Sequence, residues 1–132
     1  MITILLASSA FSSQYADMEK ISLKKDEKTK IFVKYASYER VFQFRWTLYK
    51  NEALVMFSSY DKEVSQHMLY LNNSNRSFKI LLKPKGADFY ETPYFLVFFK
   101  GFNFEKHEAN FEVYLSDKKR QLEIRYLKRE VQ

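Results

Sequence analysis

This 132-residue chain has no cysteine, and only two glycines and two prolines. Without thiols it has no disulfide staples, no thiolate nucleophile and no sulfur-rich metal site. Tight hairpin turns need residues at positive φ, usually glycine. Here they must be built from Asn, Asp and Lys instead. No apolar run approaches the ~20 residues of a membrane-spanning helix. The sequence also lacks a GxSxG elbow, a phosphate-cradling Gly-rich loop and an HExxH pair. A nucleophilic triad would have to pair a serine with His67 or His107, the only histidines, and no motif places one beside either. These absences argue for a protein that is not an enzyme and binds no cofactor.

What the chain has in abundance is aromatic side chains, with 13 Phe and 10 Tyr. Aromatic residues favour strands, and 46% hydrophobic with 29% charged residues is globular composition. The length suits one domain, expected over residues 17–130.

Period-two alternation marks the strands. The clearest is Val41–Lys50, where Phe42, Phe44, Trp46 and Leu48 alternate with Gln43, Arg45 and Thr47. Lys50, Asn51 and Glu52 turn the chain into a return strand over Ala53–Ser59. Further strands are expected over Lys30–Ala36, Gln66–Leu71, Ser77–Lys83, Asn110–Ser116 and Gln121–Lys128, with an edge strand over Glu19–Lys24 and a short helical turn within Asp61–Met68. The irregular stretch Lys83–Pro93 holds both prolines and Gly86, and is expected to cross between sheets. Seven to nine short strands at this spacing predict an all-β, two-sheet antiparallel sandwich, with a small barrel as the second choice.

Beginning at Tyr94, six consecutive residues are apolar or aromatic, which is too unbroken for a strand with one wet face. Phe95, Val97 and Phe99 would face one way, and Tyr94, Leu96 and Phe98 the other. Either the second set is covered by the chain itself, including long Lys and Arg stems, or it continues through Phe102 and Phe104 as an exposed patch. In the second case Tyr94, Leu96, Phe98, Phe102 and Phe104 form a candidate interaction surface for a protein partner or a second copy.

The strand order, Trp46 on the third expected strand and Tyr94 opening the strand after the crossing connection resemble the immunoglobulin-like sandwich class. More faintly, they resemble the small immunoglobulin-like domains of bacterial envelope proteins. The resemblance spans roughly Glu19 to Lys128 and is one of pattern, without the disulfide pair of antibody domains. It implies a binding, bridging or chaperoning role. Residues 1–14 add to it: the apolar run Ile2–Ala7 precedes Ser8 and Ala10, spaced as the −3 and −1 residues of a signal-peptidase site. A truncated signal peptide implies a periplasmic or extracellular protein. A first strand, with Ile2, Ile4 and Leu6 on one face, is the alternative.

The formal charge of +6 suits a soluble surface and also attracts polyanions. Lys24, Lys25, Lys28 and Lys30 form one basic cluster; Lys118, Lys119, Arg120, Arg125, Lys128 and Arg129 form another. With outward Tyr49 or Tyr126 as stacking rings, these clusters would suit a single-stranded nucleic-acid-binding barrel. Interspersed acids (Asp26, Glu27, Asp117, Glu123 and Glu130) favour solvated faces instead. Two metal readings are weak. Glu105, Lys106, His107 and Glu108 read as a solvated turn, since a site needs three or four converging ligands. His67 and Met68 would suit copper only if Met18 or Met56 converged on them.

Overall fold

The computed structural model describes residues 15–72, 74–83 and 92–127. The signal-like segment 1–14 and most of the expected crossing connection lie outside the described residues. Nine strands follow in order: β1 (Asp17–Lys24), β2 (Thr29–Tyr35), β3 (Tyr38–Lys50), β4 (Ala53–Tyr60), β5 (Glu63–Tyr70), β6 (Ser77–Leu81), β7 (Tyr94–Asn103), β8 (Glu108–Ser116) and β9 (Glu123–Leu127). They form two antiparallel sheets, one ordered β1-β8-β7-β6 and the other β5-β4-β3-β2-β9. The expected all-β sandwich is therefore the observed fold. Two open sheets with distinct edges are not a closed barrel. The helical turn expected within Asp61–Met68 is strand instead, paired along β4 from Tyr60↔Glu63 to Ala53↔Tyr70.

The immunoglobulin constant-type order interleaves its strands as ABED and CFG. Here β2 to β5 run consecutively through one sheet and β6 to β8 through the other, so the likeness holds for the sandwich architecture and not for this strand order.

Glycine-free turns join the strands as the composition requires. Asn51 and Glu52 both take positive φ (53° and 65°), as do Asp61 and Lys62 (50° and 69°). Both pairs give the φ signs of the type I′ turns whose twist matches antiparallel strands. The core lies between the sheets. Phe42, Phe44, Leu54 and Met56 of one sheet meet Phe95, Val97, Phe99 and Phe111 of the other, and all are essentially solvent-free. Phe42 stacks on Phe95 (5.3 Å between ring centroids), and Phe44 meets Phe111 edge-on at 5.3 Å. Each such burial contributes about 1.5–3 kcal/mol.

Candidate functional site

The two sides of Tyr94–Phe99 have different fates. Phe95, Val97 and Phe99 are fully buried between the sheets, whereas Tyr94, Leu96 and Phe98 lie half-buried on the outer face. Cationic side chains cover that face. Lys79 Nζ sits 4.2 Å from the Tyr94 ring centroid, and the Arg76 guanidinium and Lys100 ammonium flank Phe98 at 5.2 and 5.1 Å. Such contacts shield the ring faces and add about 0.5–1 kcal/mol each at exposed positions. Beside them, the Tyr114 hydroxyl donates to Glu112 Oε1 at 2.5 Å, which pushes the phenol pKa up to about 12. Tyr15 packs on the Tyr114 ring at 4.9 Å.

Phe102 and Phe104 do not continue this face. The register of β7 on β8 shifts between Phe99 and Gly101, and Phe102 then pairs with buried Ala109, which places it on the inner side. A β-bulge adds one residue to one strand and so reverses the alternation beyond it. The register of β3 on β4 shifts in the same way between Trp46 and Leu48. Leu48, expected on the dry face, is therefore turned out and is 51% exposed, and Tyr49 is turned in.

Because the two bulges lie in different sheets at the same end of the sandwich, they bring Tyr49 and Phe102 together. Their rings stack at 4.3 Å and 14°. Trp46 meets Phe102 edge-on at 5.4 Å. Phe104, on the turn after β7, reaches Phe102 at 5.0 Å and Tyr49 at 5.9 Å while remaining 68% exposed. Trp46 is fixed from behind, its indole N–H donating to Leu23 O at 2.7 Å and its carbonyl accepting from Asp26 N at 2.9 Å. The result is a ladder of rings running from the core to the surface and ending in Phe104; Leu48, next to Tyr49 in the chain, faces the outer side of β3. Tyr49 belongs to this ladder, so it is not the outward stacking ring that a nucleic-acid barrel would need. Tyr126 is likewise packed against the core.

The histidines separate. His107 lies in the exposed turn between β7 and β8, at φ 53°. His67 is half-buried, with its ring stacked on Phe78 at 3.7 Å and its Nε2 2.8 Å from Ser58 Oγ. Burial pushes the His67 pKa down, so it is neutral at pH 7. A serine–histidine contact is thus present although no local motif predicts it; cross-strand pairing of β4 and β5 creates it. Ser58 is only 3% exposed, and the contact closes the flank between β5 and β6. The buried Asp117 carboxylate accepts from the Gln121 and Leu122 amides at 3.2 and 3.0 Å, which shapes the turn from β8 to β9. Among the described residues, no three His, Asp or Glu side chains converge as metal ligands, and no helix is long and apolar enough to cross a membrane.

No protein-family model matches this chain, and no curated protein or solved structure is significantly similar to it.

Proposed function

We propose that this chain is a non-catalytic, exported binding domain that docks a protein partner through its aromatic end, the simplest partner being a second copy. The observation that carries the reading is the pairing of a rigid base with an exposed tip. Phe104 and Leu48 are largely solvent-exposed, yet the Phe104 ring packs on Phe102 and Tyr49, and Phe102 in turn packs on Trp46. Pre-ordered aromatic side chains lose little conformational freedom on binding, which is why interface anchors are so often aromatic. The Tyr94, Leu96 and Phe98 face, sheathed by Lys79, Arg76 and Lys100, is the weaker half of the expected surface. Export rests on the Ile2–Ala7 run and the Ser8, Ala10 spacing, and amino-terminal sequencing of the mature protein from envelope fractions tests it.

Trp46 is the only tryptophan and touches Phe102, so its emission reports on this end of the molecule. Sedimentation equilibrium of the wild type should show self-association with a parallel change in Trp46 emission. Phe104→Ser with Leu48→Ser should remain monomeric with an unchanged circular dichroism spectrum. Association that survives this double substitution would place the docking surface elsewhere.

A further inference from the structure

The two flanks of the sandwich, where edge strands of opposite sheets run side by side, are built differently. The β1 and β9 flank gapes. A groove of about 670 Å³ opens there, lined by Glu19, Lys20, Ile21, Ile124, Arg125 and Tyr126 among others. Among the described residues, each bordering strand is hydrogen-bonded on one side only, β1 to β8 and β9 to β2, which leaves each with an unpaired backbone edge there.

Strand parity decides which side chains enter this groove. Asp17 and Glu19 pair with Leu115 and Val113, both buried, so the two carboxylates project to the inner side of β1, while Lys20 pairs with Glu112 on the outer face. On β9, Ile124 and Tyr126 pair with buried Val33 and Ile31, and Arg125 is turned outward over the Phe32 ring. By strand parity the inner side is therefore apolar with an acidic β1 wall, while Lys20 and Arg125, which also line the groove, start from the outward-facing positions of its two strands. Among the described residues, the Tyr126 hydroxyl is buried with no hydrogen-bond partner. Burial, then Asp17 and Glu19, hold it protonated, but the Asp17 carboxylate does not complete hydrogen-bond geometry with it. A buried donor left unpaired favours a ligand acceptor that occupies its site.

We propose that the β1–β9 groove is a strand-docking site for an extended segment of a partner protein that carries a basic side chain on its inward face. The segment adds to a free edge by main-chain hydrogen bonds, its apolar residues cover Ile21 and Ile124, and its cation meets Asp17 and Glu19. A strand of five to six residues, the commonest length, matches the five residues of β9. This site is separate from the aromatic end and does not depend on it.

The test uses the full-length protein and a blocked heptapeptide with threonine at even positions and valine, lysine, isoleucine and valine at successive odd positions. Isothermal titration should show one-to-one binding. Replacing the lysine of the peptide by glutamate should weaken it at least about tenfold, and Glu19→Gln in the protein should weaken the lysine peptide by several-fold. Tyr126→Phe should also weaken it, and Phe104→Ser should leave it unchanged. The charge reversal in the peptide needs no folded variant, so the proposal stays testable if Glu19→Gln misfolds. No binding at millimolar peptide, or equal binding of the lysine and glutamate peptides, overturns it. So does a peptide that acts only by dissociating a dimer, which makes a second copy the occupant. Loss of hydrogen-exchange protection over residues 2–8 when peptide is added would likewise make the chain's own amino terminus the occupant and overturn the proposal.

Discussion

The β5–β6 flank and the β1–β9 flank solve the same problem, two edge strands lying over one core, in opposite ways. On the β5–β6 flank the inward groups of Ser58, Tyr60 and His67 are paired. His67 stacks on Phe78 and bonds Ser58, the Tyr60 hydroxyl donates to Leu82 O at 2.8 Å, and Asn75 caps the strand by accepting from Tyr70 N and donating to Met68 O. Among the described residues, the β1–β9 flank keeps an open groove, two inward carboxylates and an unpaired phenol. One flank is closed by its own side chains; the other is left with unmet bonding capacity. Inward charge also guards an edge against indiscriminate pairing, in keeping with the charge selection proposed for the open flank.

The largest test of this contrast removes the ring that shuts the closed flank. Phe78→Ala should cost about 3–4 kcal/mol in urea unfolding, because both the buried ring and the His67 stack are lost. Ile124→Ala on the open flank, where burial is partial, should cost less than half of that. If the two losses were equal, the flanks would not differ energetically.

Tyr60→Phe should cost about 1–3 kcal/mol by leaving the Leu82 carbonyl unsatisfied in the core. A smaller effect belongs to His67. Its pKa is lowered in the folded state, so the unfolded chain binds the proton more readily, and stability should be full above pH 6.5 and fall as the pH drops below it. Urea midpoints measured between pH 7.5 and 5 should show this slope, and His67→Gln should flatten it.

Lys62→Gly should stabilise by about 0.5–1 kcal/mol, since glycine relieves the positive φ of the turn that leads into β5. The smallest expected change is Tyr126→Phe on the open flank. It removes a hydroxyl that has no partner, so the thermal midpoint should stay within about 1 °C of wild type or rise slightly. Set beside Tyr60→Phe, it is the sharpest form of the comparison, because the same atom is deleted in two settings.

Much of this architecture was legible in the residues. Alternation located the strands because a half-buried strand must place its apolar side chains two apart, and Phe42, Phe44 and Trp46 do so without interruption. The glycine-poor composition implied turns built without glycine, and the turn expected at Lys50, Asn51 and Glu52 is observed, with Asn51 and Glu52 at positive φ. The alternation misled only beyond a bulge. Leu48 reads as the next inward residue after Trp46, and Phe102 as a continuation of Phe98, since nothing in the local pattern marks an inserted residue. Gly101 gives no warning either: it has no positive φ, and a Cβ there would meet nothing within 4 Å, so the shift does not depend on glycine. Asp61–Met68 was misjudged for a different reason. Its outward residues run Val64, Gln66 and Met68, a polar-apolar mixture without clear period, and only pairing with β4 makes the segment a strand.

By itself, then, the order of residues determined that this chain makes antiparallel strands with an aromatic core, because side-chain alternation is a local property of extended backbone. Only the tertiary structure decided which rings reach the surface together, that Ser58 meets His67, and that one flank closes while the other stays open. Those outcomes depend on the register between strands far apart in the chain, and a shift of one residue in register turns a side chain from the core to solvent.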